Sequence, residues 1–262
     1  MTIEFHQHPG LVVYLTIGDP DLATSKQIAL AAIDAGADVL ELGVPFSDPL
    51  ADGPVIQRAS ERAVRNGTRL DDVLALARAL RTERPRVGLV IFSYLNPILR
   101  MGLEKFAAAA EQAGVDAVLV TDLIVEESEQ YRAVLHRHHL QPIFLAAPTS
   151  PDNRLARIAE VSEGFIYAIS RVGITGTQQE VAGDARDLVA RLRRYTQLPI
   201  ALGFGISNAA HVAAVAEFAD AAVIGSAIVA LIERSTPQQA PAAVGEFIAA
   251  LRAPVPSESA VS

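Results

Sequence analysis

Cysteine is absent from the 262-residue chain. That excludes disulfides, thiolate metal sites and a cysteine nucleophile. It also suits a reducing compartment, so a cytoplasmic protein is expected. Long apolar runs are lacking as well; none reaches the roughly 18 residues of a membrane span. The first ten residues carry Glu4, His6 and His8 without an apolar centre, so no signal peptide is expected there. Runs of lysine or arginine are missing, and the formal net charge is −8. Nucleic acid and anionic membrane are therefore poor partners, although one local phosphate site is compatible with global acidity. Long disordered stretches are not expected from a chain that is 50% hydrophobic and 20% charged. Only Ala253–Ser262, rich in Pro, Ser and Ala, reads as a frayed tail.

What is present is periodic. Eight short apolar runs read as strands: Leu11–Ile17, Asp38–Leu42, Val87–Phe92, Ala117–Val120, Pro142–Leu145, Phe165–Ile169, Ile200–Leu202 and Ala221–Ile224. Near-continuous apolar strands are buried on both faces, as in parallel sheets covered by helices. Amphipathic patterns fill the gaps, at Leu22–Ala35, Leu70–Arg81, Leu103–Ala113, Glu126–His136, Asn153–Val161, Ala185–Tyr195 and Asn208–Phe218. Gly36 and Gly114 follow helical patterns where a left-handed cap is wanted. No linker interrupts Leu11–Arg252, so residues 1–262 are expected to form one α/β domain, a (β/α)8 TIM barrel. Its length is close to the about 250 residues typical of that architecture. An open doubly wound sheet is the competing arrangement, but no Gly-rich dinucleotide fingerprint follows the first strand. In a barrel the chemistry belongs on the loops that follow the strands.

Two kinds of loop stand out. Gly203-Phe204-Gly205-Ile206-Ser207 follows the seventh strand and Gly225-Ser226-Ala227-Ile228 the eighth, the latter entering a helix. Glycine lets the backbone approach an anion, and a helix N-terminus offers unpaired N–H groups. Barrel enzymes often place phosphate at these two loops, and Gly173-Ile174-Thr175-Gly176 could close over the same ligand. The alternative is that these glycines serve tight turns only. No lysine follows them as in a nucleotide-triphosphate loop.

The other loop is acidic. Glu41 ends the second strand among Val39, Leu40 and Leu42, where its pKa should rise into the range useful for acid–base work. Beyond it, Pro45, Pro49 and Pro54 stiffen a segment holding Asp48 and Asp52. Asp122 and Asp19, after the fourth and first strands, are further candidates. Glu41 could instead be a structural ion-pair partner, Asp48 and Asp52 could cap turns, and a carboxylate cluster could bind a divalent metal. Against metal, no histidine lies near these loops; His136, His138 and His139 sit together at a helix end and read as solvated. Tyr14, Tyr94 and Tyr167, with Phe46, Leu95 and Ile206, could form an apolar slot beside the carboxylates.

The run Glu41-Leu42-Gly43-Val44-Pro45-Phe46-Ser47-Asp48-Pro49-Leu50-Ala51-Asp52-Gly53-Pro54 resembles the signature of the tryptophan synthase alpha subunit family. The resemblance continues through Tyr14–Pro20, Tyr94–Pro97, Asp122 with Val125–Ser128, Gly173–Gly176, Gly203–Ser207 and Gly225–Val229, covering about Leu11–Glu233. It implies a retro-aldol lyase that cleaves indole-3-glycerol phosphate to indole and glyceraldehyde 3-phosphate. It implies no cofactor in this chain, with pyridoxal phosphate only in a beta-subunit partner, and an alpha2beta2 heterotetramer. By match to the motif, Glu41 and Asp52 are the catalytic pair and Thr175 helps close the site. Tyr14, Tyr94, Tyr167, Gly176, Gly203, Gly205, Gly225 and Ser226 line the substrate or its phosphate. Some positions depart from the pattern. About ten residues precede the first strand, so the helix expected under the barrel is reduced or missing. Ile124 stands where proline is common, near the expected partner contact, and Arg171-Val172 and Thr177-Gln178-Gln179 are uncommon choices. The other readings are a stand-alone indole-releasing lyase, a catalytically silent phosphate-binding barrel, and a different phosphate-handling barrel such as an isomerase.

Overall fold

All eight apolar runs form strands in the computed structural model, which describes residues 3–169, 178–203 and 205–253. The strands are β1 (Gly10–Thr16), β2 (Val39–Gly43), β3 (Gly88–Ser93), β4 (Ala117–Val120), β5 (Gln141–Ile143), β6 (Leu145–Ala146), β7 (Ile166–Ile169), β8 (Ile200–Gly203) and β9 (Ala221–Ile224). Their order in the sheet is β5-β4-β3-β2-β1-β9-β8-β7-β6, and every neighbouring pair is parallel. The two ends of that order, β5 and β6, are separated in sequence by Phe144 alone, so the sheet curls round into a barrel. The expected single strand Pro142–Leu145 is thus two pieces. β5 pairs with β4 and β6 with β7, and Pro142, which has no N–H to donate, lies in the piece before the switch.

Alternation along the strands divides the core into two layers. Leu11, Val13 and Leu15 of β1 and Leu40 and Leu42 of β2 face outward and pack under the helices. Val12, Val39, Val90, Leu119, Phe165, Ala201 and Val223 face inward and fill the barrel. The lower mouth is plugged by side chains of the leading segment: Ile3 joins the inner cluster, and the rings of Phe5 and Phe165 lie 6.1 Å apart. Residues 3–9 form no helix.

Five of the seven expected helices lie within two residues of their patterns, the expected Ala185–Tyr195 helix is Gln178–Leu192 and so begins seven residues earlier, and one is split. The expected Glu126–His136 helix is a 3-10 turn, Val125–Glu127, followed by an α-helix from Glu129. Buried Ser128 breaks the run, its hydroxyl donating to the Val125 carbonyl at 2.7 Å. Among the described residues no helix is long and apolar enough to cross a membrane. Of the expected frayed tail, all but Ala253 lies outside the described residues.

Candidate active site

Strand periodicity delivers Glu41 to the barrel interior. Its neighbours Leu40 and Leu42 face the helices, so Glu41 faces inward, level with Tyr14 on β1 and Val90 on β3. The side chain is fully buried, and neither carboxylate oxygen has a hydrogen-bond partner. Burial pushes its pKa up from 4.5 to about 8, because the charged form has lost water and gained nothing in return. Glu41 therefore carries a proton at neutral pH.

Glu41 opens on a cavity of about 460 Å3 at the C-terminal ends of the strands. Tyr14, Tyr167, Gly203, Gly205, Gly225 and Ser226, all expected from sequence, line the same cavity. Glycine at two of the positions on or beside this wall makes room for the phenols. A Cβ on Gly43 would lie 2.5 Å from the Tyr14 hydroxyl oxygen, and one on Gly203 would lie 2.8 Å from that of Tyr167. Gly205 has φ +47, a left-handed backbone that glycine adopts without strain. Gly225 caps the helix Ser226–Arg234, whose first N–H groups have no intrahelical acceptor and whose positive dipole end favours an anion.

Asp52 sits beside the cavity and does not line it; Gly53 and Pro54, which follow it, do. Its carboxylate accepts a hydrogen bond from the Tyr94 hydroxyl at 3.0 Å, while that hydroxyl accepts from the Ala51 N–H at 2.9 Å. Tyr94 thereby ties the loop at both Ala51 and Asp52. Burial raises the Asp52 pKa from 3.8 to about 6, with the Tyr94 hydrogen bond acting against it. The Tyr14 and Tyr167 hydroxyls are pushed well above 10, chiefly by burial and further by the charges of Glu41 and Asp52. Two carboxyls and two phenols thus share one electrostatic neighbourhood. Phe46, Tyr94 and Leu95 are off the cavity wall; the Phe46 and Tyr94 rings pack on each other at 5.2 Å. Thr175 and Gly176 lie outside the described residues.

The remaining acidic candidates do not line the cavity. Asp48 is exposed. Asp19 is buried against a two-pronged contact from Arg62, at 2.8 Å on each oxygen. Asp122 accepts from the Leu95 N–H at 2.7 Å, capping the short helix Leu95–Met101. His138 and His139 lie at the surface against Glu104 and Glu111. Among the described residues no group of three or more His, Asp or Glu is arranged to hold a metal ion.

Residues 2–253 match the family described as tryptophan synthase alpha chain. The chain belongs to that family. It is accordingly a lyase of tryptophan biosynthesis. It is 48% identical to the tryptophan synthase alpha chain of Solibacter usitatus over 226 residues, 86% of this chain and 84% of the relative. With that of Burkholderia mallei it shares 46% over 246 residues, 94% of this chain and 91% of the relative. Among solved structures, aminoacrylate-bound tryptophan synthase from M. tuberculosis superposes with a TM-score of 0.84 at 36% identity, covering 94% of each chain. The tryptophan synthase complex from Pyrococcus furiosus does so with a TM-score of 0.84 at 33% identity, covering 94% of this chain and 98% of that one.

In this alpha chain several wall residues escaped sequence reasoning. Phe92, Ile169 and Val223 line the cavity together with Val55 and Ile56. The first three were within reach, because each occupies an inward position on its strand. Val55 and Ile56 lie in the first turn of the helix Pro54–Arg65, and nothing in their local pattern shows that this turn faces a ligand.

Proposed function

We propose that Glu41 and Asp52 carry out the alpha reaction of tryptophan synthase in this chain, cleaving indole-3-glycerol phosphate to indole and glyceraldehyde 3-phosphate. The reading is carried by the two partnerless oxygens of Glu41, buried at the wall of a ligand-sized cavity. A buried carboxyl left without partners is costly, and such sites are where acid–base groups are tuned for work near neutrality.

Protonated Glu41 gives its proton to C3 of the indole ring, placing positive charge on the ring nitrogen. The Asp52 carboxylate, held by Tyr94, stabilises that N–H more strongly than it did the neutral ring, so it favours the transition state over the ground state. Glu41, now a carboxylate, takes the proton from the hydroxyl on the carbon attached to C3. The carbon–carbon bond breaks, its electron pair returns to the ring, and the aldehyde forms. Glu41 ends with the proton it started with, and no cofactor enters the step. The backbone at Gly203, Gly205 and Gly225 and the N-terminus at Ser226 hold the phosphate. Tyr14, Tyr167 and Phe92 flank the indole. Thr175 and Gly176 take their closing role from their place in the motif.

This division of labour fixes the pH dependence. Glu41 must be protonated and Asp52 ionised in the free enzyme. The plot of kcat/KM against pH is therefore expected to be a bell, falling below about 6 as Asp52 is protonated and above about 8 as Glu41 ionises. Steady-state indole release across that range checks this. A plateau that continues down to pH 4.5 would remove Asp52 from the mechanism as written.

The same reading includes a beta-subunit partner that carries the pyridoxal phosphate, in an alpha2beta2 assembly, and three exposed apolar side chains are consistent with a docked protein. Leu50 is 82% exposed, Leu99 55% and Ile124 48%. They lie on the segments following β2, β3 and β4, at the same rim as the cavity. An apolar partner surface docked over that rim would cover them. Added beta subunit is expected to raise the rate of indole release well above that of the isolated chain. An equal rate with and without it would favour the stand-alone lyase.

A further inference from the structure

The helix Pro54–Arg65 starts two residues after Asp52, and the helix Ser226–Arg234 starts at the anion end of the cavity. Beyond the cavity wall these two helices are tied by one ion cluster. Arg58 donates from Nε and Nη2 to the two oxygens of Glu233, at 2.8 and 2.7 Å. Arg62 donates from Nη1 to Glu233 Oε1 at 2.7 Å. Its Nε and Nη2 hold Asp19, just after β1, at 2.8 Å each. Closer to the cavity, the Gln57 amide donates to the carbonyl oxygens of Asp52 at 2.9 Å and Pro49 at 3.3 Å. A continuous set of contacts therefore runs from the Asp52 loop, through one helix, to the helix that opens at Ser226.

Where the helices meet, Ala59 and Val229 pack on Tyr14. Such small, smooth side chains fix how far apart two helices lie, but resist sliding along one another poorly. Paired Arg–carboxylate contacts fix distance and orientation together. We propose that Glu233, Arg58 and Arg62 are positioning residues that set the span between Asp52 and the phosphate-holding end at Gly225–Ser226. The inference rests on the reading of the site given above. A substrate anchored by phosphate at one end must meet Asp52 at the other, and a misplacement of about 1 Å costs on the order of a hundredfold in rate. Partly exposed ion pairs add little to stability, typically about 1 kcal/mol or less. The cluster should therefore matter more to rate than to folding.

The test compares indole release from indole-3-glycerol phosphate and from phosphate-free indole-3-glycerol by the full chain and by Glu233→Gln. Only the phosphorylated substrate is pinned at both ends, so only its turnover reads the span. Glu233→Gln is expected to lose about tenfold in kcat/KM on the phosphorylated substrate and less than about twofold on the phosphate-free one, an intermediate misplacement. Arg58→Gln, at the surface end of the cluster, is expected to show the same pattern. Equal losses on both substrates would mean a general structural defect and would overturn the proposal, as would no loss on the phosphorylated one. If the unaltered chain releases no indole from the phosphorylated substrate, the assignment of the site itself fails instead.

Discussion

Glu41→Gln is expected to lower kcat by at least about 10²–10⁴-fold while the protein remains folded, because general acid–base transfer of this kind is worth that much. Glutamine keeps the shape but can neither give a proton to carbon nor take one from the hydroxyl. The same substitution is expected to change how stability depends on pH. Unfolding lets Glu41 ionise at its ordinary 4.5, whereas the folded protein holds the proton up to about 8. Between those values the unfolded chain binds fewer protons, so the native protein loses stability as pH rises; below and above them this contribution is flat. The interval is worth up to roughly 5 kcal/mol for a fully buried group. Glu41→Gln removes it, at the smaller cost of leaving an unpaired amide. Urea unfolding at pH 5 and pH 8.5 should show the variant gaining on the parent protein at the higher pH. Near-normal turnover, or a stability difference that does not change with pH, would count against the role given to Glu41.

Asp52→Asn is expected to reduce kcat by about 10²-fold or more, with KM little changed, because its interaction strengthens only as charge develops on the ring nitrogen. The asparagine carbonyl can still accept the hydrogen bond that Tyr94 now gives to Oδ2, so the loop should keep its place. The acid limb of the pH profile should disappear with the carboxylate, and the limb near 8 should stay. Steady-state kinetics of the variant from pH 5 to 9 tests both points. A rise in KM alone would make Asp52 a binding group and would contradict the electrostatic role.

The difference between Asp48 and Asp52 shows where sequence reading stops. Both lie in one proline-stiffened loop, and residue type and spacing do not separate them; only the motif resemblance favoured Asp52. The structure leaves Asp48 exposed and ties Asp52 to Tyr94, a contact between residues 42 positions apart. Glu41 was legible for a local reason: one charge in an apolar strand, at an inward position of period two, has no water to turn to. Phe92, Ile169 and Val223 follow the same rule and could have been read from it. The Glu233 cluster could not, since its partners lie 171 and 175 residues away and look like ordinary surface charges until the barrel brings the first and last parts of the chain together. The break at Phe144 was hidden likewise, because an apolar run does not show at which residue a strand changes neighbours.

The most direct test is a 13C NMR titration of the Glu41 carboxyl in the ligand-free protein, assigned by its loss in Glu41→Gln. A midpoint near 8 is expected, for a proton kept by burial alone. A midpoint near 4.5 would mean that this side chain is solvated and ionised at neutrality, with no proton to deliver.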